Sequence, residues 1–563
     1  MGDKVKKRGG QSFLYGATIM VVSTAIVKVL GALFRIPLTW LIGEDGMGFY
    51  STAYDVYLPI YALAMAGLPI AVSRITAEYV QKGRYKDVRK TLKVAKRAFW
   101  VTGITGFVLM LIITYPFIRL TGNEGALKGM LMIAPSVLFC CIMSSYRGYY
   151  EGLRNMYPTA VSTIIEGLGK LILGYGMAYL VIQHFGELTT ESASYAAAAA
   201  LLGITIGTAL GALFLVIRHR HPGDGITMRM LIESPRADYG RTILKSLVLI
   251  GIPVVLGSLV TNIASLIDVT MVQRQLGSAV ERSPEVFRQL YGEYLGTRTD
   301  ADIPNYLYGV YKGYAFTLYN LVPTITSVIG VSALPVLAMA WTKNNKGEIK
   351  QNIESMIRVT SLVAMPCGIG LMALSYPILD LLFKTDSIDI SSKILFILGA
   401  TAIFAGIMSP LNNMLQAIGR QWVPVRNILV GALLKIIINF VLVGIPEVNI
   451  MGAPIGTLCC YIYIATANMI CLVRYSKVKP KIVSSLLRPF AAALLCGVAA
   501  YFSNMLLAGI ISPKIAVILA IIVAVIVYVI ALILFKAFTK EDLMAFPKGD
   551  KIVKLFQKIG VVK

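Results

Sequence analysis

The sequence predicts an all-α polytopic membrane protein. About fourteen transmembrane helices form two pseudo-symmetric six-helix lobes around a central cationic cleft, with two further helices at the C-terminal end. Three observations predict this class. Of the 563 residues, 56% are hydrophobic, mean hydropathy is +0.72, and apolar runs of about 17–25 residues, long enough to cross a bilayer, recur from end to end. Short motifs repeat in the same order in the two halves. Basic side chains (Lys28, Arg35, Arg74, Lys170, Lys312 and Lys435) stand inside the apolar runs, with only Asp55, Glu166 and Asp268 as acids at comparable depth. A charge at the bilayer centre costs about 2.5–3.5 kcal/mol, so such groups face a cavity or a partner. The surplus of bases predicts a polar space shaped for something negative.

The predicted spans are 12–37, 47–79, 98–118, 127–146, 158–183, 195–217, 244–272, 304–341, 355–382, 392–417, 424–445, 450–473, 486–508 and 514–537. The second and eighth are too long for one straight crossing, and Pro59 and Pro69, and Pro323 and Pro335, predict a bend in each. Residues 1–220 are expected to form an N-lobe and 221–243 a cytoplasmic linker between the lobes. Residues 244–474 are expected to form a C-lobe, 475–537 a helix pair, and 538–563 a basic cytoplasmic tail.

The net charge of +24 suggests nucleic acid until the charges are sorted by side. The stretches richest in Lys and Arg are Lys4 to Arg8, Lys82 to Arg97, Arg474 to Arg488 and the tail from Lys536, all on the expected inner side. This is the positive-inside pattern with both termini cytoplasmic. The patches suit anionic membrane lipids, and a nucleic-acid partner is excluded. The segment Lys4-Val5-Lys6-Lys7-Arg8 leads an apolar stretch too long and too charged for cleavage, which predicts an uncleaved first span. The seven cysteines lie in apolar segments without CxxC spacing and read as small buried hydrophobes, neither disulfides nor a metal site.

The duplication is explicit. Leu68-Pro69-Ile70-Ala71 recurs as Leu334-Pro335-Val336-Leu337, followed by Lys82-Gly83 and Lys346-Gly347, then by Tyr115-Pro116 and Tyr376-Pro377. Ile142-Met143-Ser144 recurs as Ile407-Met408-Ser409, ahead of the loop prolines Pro158 and Pro424. Gly203-x-x-Ile206-Gly207-Thr208 returns as Gly452-x-x-Ile455-Gly456-Thr457. With six spans per half the repeats share one topology, and rocking two such lobes gives alternating access.

Lys28 and Arg35 lie two helical turns apart on one face of the first span. Lys28 is too deep to snorkel and is expected to face the cavity; Arg35 reads either as a cavity residue or as one snorkelling outward near Gly43. Lys170 and Lys435 follow their loop prolines at matching distances and are repeat-related near the midplane. Glu166 precedes Lys170 by four residues, the order that favours an ion pair on the same helix; Gly431 stands at the corresponding place before Lys435. Asp268 could bind a coupling cation, pair with a base of the first lobe, or be solvated outside. Asp55 lies among Tyr50, Tyr54, Tyr57 and Tyr61, which serve as an interfacial belt or as surfaces on which sugars stack. Asp300-x-Asp302 has the acidic spacing of some metal-using glycosyltransferases, a weak signal alone. No nucleophile–base arrangement, histidine cluster, P-loop or GxGxxG stands in a supporting context, so the chain is not expected to be an enzyme.

Specific stretches of the first half carry a family resemblance. Lys28-Val29-Leu30-Gly31 with Arg35, Ile42-Gly43-Glu44-Asp45-Gly46-Met47-Gly48, Gly67-Leu68-Pro69-Ile70-Ala71-Val72-Ser73-Arg74 and Arg147-Gly148-Tyr149-Tyr150-Glu151-Gly152 resemble stage V sporulation protein B and its relatives. These belong to the polysaccharide-exporter branch of the multidrug/oligosaccharidyl-lipid/polysaccharide flippase superfamily, which also holds the MurJ-like lipid II flippases. The resemblance implies flipping of a lipid-linked oligosaccharide pyrophosphate, of lipid II type, from the inner to the outer leaflet for cell-wall or spore-cortex synthesis. It further implies that Lys28 and Arg35 line the cavity. MurJ-type proteins carry an acid where this chain has Ala66 and space their first-helix arginines one residue closer, which favours the sporulation-type branch.

Taken together, Lys28, Arg35, Lys170, Lys435, Asp55 and Glu166 are the expected substrate-binding residues, with Asp268 as the ion-coupling candidate. The lysines would hold the pyrophosphate, the cleft the glycan, and a groove beside the last two spans the lipid tail. No cofactor is expected; the membrane potential or a coupling cation would supply the driving force. Expected partners are the lipid-linked glycan, anionic lipids and cell-wall synthesis proteins. The competing readings are a multidrug cation antiporter of the same superfamily, a membrane glycosyltransferase, and a non-transporting cell-wall scaffold.

Overall fold

The computed structural model describes residues 13–535 and 537, other than Ala66 and Pro222. The basic N-terminal segment, Ala66 and the tail from 538 therefore lie outside the described residues. Every described element is helical. The helices group into two compact units, Met1–Thr270 and Met271–Lys563.

The first unit begins with α1 (Phe13–Met65), which holds two of the expected spans because it is interrupted at Gly43. There φ is 63° and ψ −167°, a backbone region open essentially to glycine alone. The helix passes Pro59 and ends at Met65. α2 (Leu68–Gln81) restarts with Pro69 in its first turn, where a missing N–H costs nothing. The expected bend of the second span is thus a break ahead of Pro69. Next come α3 (Tyr85–Thr121), α4 (Ala126–Ile133), α5 (Ser136–Gly152) and α6 (Tyr157–Gly169). A π-helical turn at Lys170–Gly174 leads into α7 (Tyr175–Phe185), and α8 (Thr190–Arg220) follows. α8 opens on a reciprocal cap between Thr189 and Ser192. The short α9 (Met228–Glu233) and long α10 (Gly240–Arg282) follow.

The second unit continues through α11 (Pro284–Leu295) and α12 (Ile303–Gly309) to a second π-helical turn, Val310–Ala315, then α13 (Phe316–Tyr319) and α14 (Leu321–Thr342). Asn345 caps α15 (Lys346–Ala373), accepting from the N–H groups of Gly347 and Glu348. α16 (Ser375–Leu382), α17 (Ile388–Ala417), α18 (Trp422–Leu442), α19 (Gly452–Ser476), α20 (Ile482–Ala508) and α21 (Pro513–Leu534) complete it. Among the described residues eleven helical stretches are long and apolar enough to cross a membrane. One of these contains the Gly43 break, and the expected seventh and eighth spans fall on α10 and on α12–α14. The side chains of α10 and α14 are described only in part.

The packing repeats as the motifs do. In the first unit α2, α3, α5 and α8 share a core built around Val72, Leu92, Phe99, Met143 and Leu215. In the second, α14, α15, α17 and α19 share one built around Leu337, Ile357, Ile369, Leu411 and Leu472. α20 packs on α15, and α21 packs on α20 and α16. Tyr528 of α21 donates to the Leu362 carbonyl at 2.8 Å, which satisfies its hydroxyl in an apolar setting.

The compact division falls inside α10, after Thr270, and two carboxylates bind residues 223–239 within the first unit. Asp224 accepts hydrogen bonds from Tyr149 (2.9 Å), Arg89 (3.2 Å) and the Ile226 N–H (3.1 Å). Asp238 accepts from Tyr79 (3.0 Å) and Arg84 (2.5 Å), and its own N–H donates to Asp87 (2.7 Å). Burial alone would raise the Asp224 carboxyl, but its donors from Arg89, Ile226 and Tyr149 hold it below its ordinary value. The Arg84 guanidinium does the same for Asp238. A carboxylate with a depressed folded-state pKa stabilises above its unfolded value, near about 3.9, and loses that contribution as pH falls through the folded value. Amide exchange of residues 223–239, corrected for intrinsic rates, should therefore be slow at neutral pH and accelerate below about pH 4. Asp238→Asn should exchange fast already at neutral pH. Protection indifferent to both acid and the substitution would contradict this role.

Candidate functional site

Small residues set the geometry of the candidate site. Lys170 opens the π-helical turn between α6 and α7, and glycines flank that turn at Gly169 and Gly174. Both lie directly against α8: a Cβ on Gly207 or Gly169 would strike the backbone of the facing helix, and a Cβ on Gly203 would strike Gly174. The Gly203-x-x-x-Gly207 pair is thus a small-residue seat on which the lysine-bearing helix rests backbone to backbone. The repeated motif does the same work in the second unit. Gly452 and Gly456 of α19 lie against Leu442, Val443 and Asn439 of α18, the helix that carries Lys435. π-helical turns inside α-helices recur at functional sites.

Seated this way, the Lys170 ammonium lies over two rings, 4.8 Å from the centroid of Phe34 and 5.3 Å from that of Tyr54. Aromatic faces attract a cation whose hydration has been removed. Arg35 and Glu166 are within electrostatic range of it. The ion pair expected between Glu166 and Lys170 is not the one that forms. Glu166 pairs with Arg147 of α5 at 3.1 Å, and the Arg147 Nε donates to Ser162 at 2.9 Å. Arg147 stands at the inner end of the fourth predicted span, so sequence reading left it with the cytoplasmic loop; folded, it is buried.

A row of tyrosines leads away from Lys170. Tyr50 and Tyr54 stack with centroids 5.8 Å apart, Tyr54 and Tyr57 follow at 5.9 Å, and Tyr57 and Tyr61 at 5.4 Å. Asp55 is buried and, like Arg35, acts electrostatically on Tyr50. Arg35, Asp55, Glu166 and Lys170 therefore come together in the first unit, joined by Arg147. Three bases face two acids.

Two residues stand apart from this cluster. Lys28, two turns before Arg35, is exposed. Arg74 is exposed on α2, seven residues before that helix ends at Gln81, so it does not belong with the deep charges. Asp268 is 3% exposed. That overturns the solvated reading and leaves the paired and ion-binding ones.

In the second unit Lys435 is 5% exposed and has a polar or electrostatic partner. Lys312, counted among the deep bases but not among the expected substrate-binding residues, occupies the second π-helical turn and is 2% exposed. Its ammonium lies 4.3 Å from the Phe316 ring centroid, 5.7 Å from Tyr311 and 5.8 Å from Tyr308. The density of aromatics in Tyr306-Leu307-Tyr308-Gly309-Val310-Tyr311-Lys312-Gly313-Tyr314-Ala315-Phe316 was the available signal. Asp300 and Asp302 are both engaged locally. Asp300 pairs with Arg288 at 2.7 Å, and Asp302 accepts from the Thr299 hydroxyl at 2.6 Å in a helix cap. Both acids thus serve the local structure of this loop. Among the described residues no group of three metal-ligating side chains forms. The arrangement can bind an anion between deep cations and stack planar or sugar faces on tyrosine.

Comparison with known proteins reports the same architecture. Residues 13–341, more than half of the chain, match the family model described as polysaccharide biosynthesis protein. Residues 310–520 match the one described as lipid II flippase MurJ. The lipid II flippase MurJ of Bacillus subtilis is 22% identical over 83% of this chain and 84% of its own length. Stage V sporulation protein B of the same organism is 23% identical over 86% and 88%. The multidrug export protein MepA of Staphylococcus aureus is 22% identical over 77% and 85%. A solved lipid II flippase MurJ in an inward closed conformation superposes with a TM-score of 0.62, covering 93% of this chain and 98% of that one at 15% identity. An inward-facing multidrug transporter of the MATE family reaches 0.56 over 82% and 99% at 14% identity.

The glycine seat makes a direct prediction. Gly203→Ala should cost about 1–3 kcal/mol of stability by overpacking. Gly176→Ala, where nothing lies within 4 Å, should be neutral or stabilising. Thermal unfolding of the purified variants reads the difference, and equal behaviour of the two would contradict the seat.

Proposed function

The chain belongs to the polysaccharide biosynthesis protein family, and on that premise we propose that it flips a lipid-linked oligosaccharide pyrophosphate from the inner to the outer leaflet. The observation that carries this reading is the partly buried group around Lys170, where bases outnumber acids and tyrosines line the approach. Lys170 and Arg35 contact the pyrophosphate as compact and forked donors respectively. Arg147 and Glu166, as a pair, hold the helix carrying Lys170 in register. Tyr50, Tyr54, Tyr57 and Tyr61 offer faces to the sugars, and Asp55 orients that row. Lys435, repeat-related to Lys170, is the corresponding base of the second unit, and Lys28 supplies a further cation along the first helix.

Access alternates between the two faces of the membrane, and the covalent structure of the substrate is unchanged; the chain acts as a transporter and not as an enzyme. The basic inner loops favour cytoplasmic termini. The membrane potential, worth about 2.3 kcal/mol per charge at 100 mV, or a cation at buried Asp268, drives the cycle. Lipid II is the substrate favoured by the named relatives. The drug-export reading draws on the MATE-type likeness, but an organic cation would meet three deep bases in a low-dielectric setting.

In cells depleted of this protein, labelled lipid-linked precursor should accumulate out of reach of an outer-leaflet reagent, and wild type should restore access. Lys170→Gln should insert normally yet restore little. Full restoration by Lys170→Gln together with Arg35→Gln would remove the cluster from the transport path. Drug resistance conferred without any change in precursor access would replace this reading with the antiporter.

A further inference from the structure

A second basic site lies in the first unit where α3 begins and α8 ends. A cavity of about 390 Å³ is lined by Arg89, Lys93 and Lys96 of α3, by His219 and Arg220 of α8, and by Gly223 and Asp224 of the connecting loop. Four permanent cations surround a single acid. That acid is already engaged: Asp224 accepts from Arg89, Tyr149 and Ile226. Among the described residues Lys93, Lys96 and Arg220 are not ion-paired with an acid.

The walls are built before any ligand arrives. Lys96 is held over the Tyr146 ring at 4.3 Å. The loop is stapled through the Gly223 carbonyl, which accepts from Tyr150 (3.4 Å) and Arg218 (3.3 Å). Tyr146, Tyr149 and Tyr150 all pack edge-on to the His219 ring. Fixed cations around a pocket bind an anion without first being ordered.

The depth of the cavity is set by its neighbours. One turn beyond Lys96, α3 exposes Trp100, Val101 and Ile104, and α8 exposes Leu213 and Ile217 just before Arg220. On both helices an outward apolar band ends where the pocket begins, with a tryptophan at the border, as at a bilayer interface. The pocket therefore stands at headgroup level, where basic recesses between membrane helices take phosphate groups.

We propose that this cavity is a phosphate-binding site separate from the transport cluster, occupied by the phosphodiester of an anionic phospholipid. Its assignment to the inner leaflet rests on the orientation proposed above; the site itself does not. A bound headgroup bridges α3, α8 and the loop that Asp224 anchors. A soluble phosphate would satisfy the same cations, and the experiment separates the two sources.

Native mass spectrometry of the detergent-purified full chain, titrated with phosphatidylglycerol or phosphatidylcholine, tests this. Lys93 and Arg220 are exposed, so Lys93→Gln with Arg220→Gln removes charge without touching the packing of Lys96 on Tyr146. Phosphatidylglycerol should bind preferentially, and the double variant should lose about thirtyfold in affinity, from two charges near an anionic headgroup. Lys170→Gln should bind as wild type does. Millimolar phosphate is compared with chloride at equal ionic strength: indifference to both identifies a lipid site, and displacement by phosphate alone identifies a soluble phosphoanion in the same pocket. Equal binding of the two lipids, an unaffected double variant, or a loss that follows Lys170→Gln would overturn the proposal. The last of these leaves the transport reading intact, so the two can fail separately.

Discussion

A lysine in a membrane helix carries an insertion cost of about 2.5–3.5 kcal/mol at mid-depth, and the fold is organised around holding such lysines in place. The holding is done by glycine on one side and aromatic rings on the other. Gly203 and Gly207 bring α8 backbone to backbone with the helix bearing Lys170, which leaves the ammonium to settle over Phe34 and Tyr54. Gly452 and Gly456 likewise bring α19 close to the Lys435 helix, Gly452 against the Leu442–Val443 backbone and Gly456 against the Asn439 side chain. Without that close approach the lysine-bearing helices would be set back from their neighbours. The π-helical turns belong to the same solution, since each contains a lysine, Lys170 in one and Lys312 in the other, with aromatics within reach.

Much of this was legible in the sequence because it is written as periodicity and repetition. Span positions follow from apolar length, and the matched motifs fall on helices that pack in matching order, α2, α3, α5 and α8 against α14, α15, α17 and α19. What escaped was pairing across helices. An acid four residues before a lysine reads as a local ion pair, yet Glu166 reaches Arg147 on a different helix. Nothing in a one-dimensional pattern distinguishes a neighbour on the same helix from one packed against it. Burial failed in both directions for a similar reason. Arg74 sat inside a run scored as one span and proved exposed once the helix broke ahead of Pro69, and Lys28, expected to face a cavity, is exposed, whereas Arg147 beyond a span end proved buried. The acids Asp300 and Asp302 looked chemical by spacing and turned out to be an ion pair and a cap.

Charge is distributed by role along the first unit. Deep in the membrane, bases are few, ringed by tyrosine and only partly countered by acids. At the basic end they are abundant, and two carboxylates, Asp224 and Asp238, tie the 221–239 segment to α2, α3 and α5. Cation–π contacts hold the Lys170 ammonium, while the ion pair beside it joins Arg147 to Glu166. The outer group is bidentate, hydrogen-bonded and structural, apart from the pocket beside it. Within the first unit the same residue types thus form a cation–π cluster in one place and a hydrogen-bonded staple in another.

The sign of the ligand that the deep site accepts is the central claim, and equilibrium binding to the purified chain measures it most directly. An undecaprenyl-pyrophosphate glycan should bind, be displaced by inorganic pyrophosphate, and ignore an ethidium-type cation. Binding of the cation with indifference to the lipid-linked glycan would contradict the account.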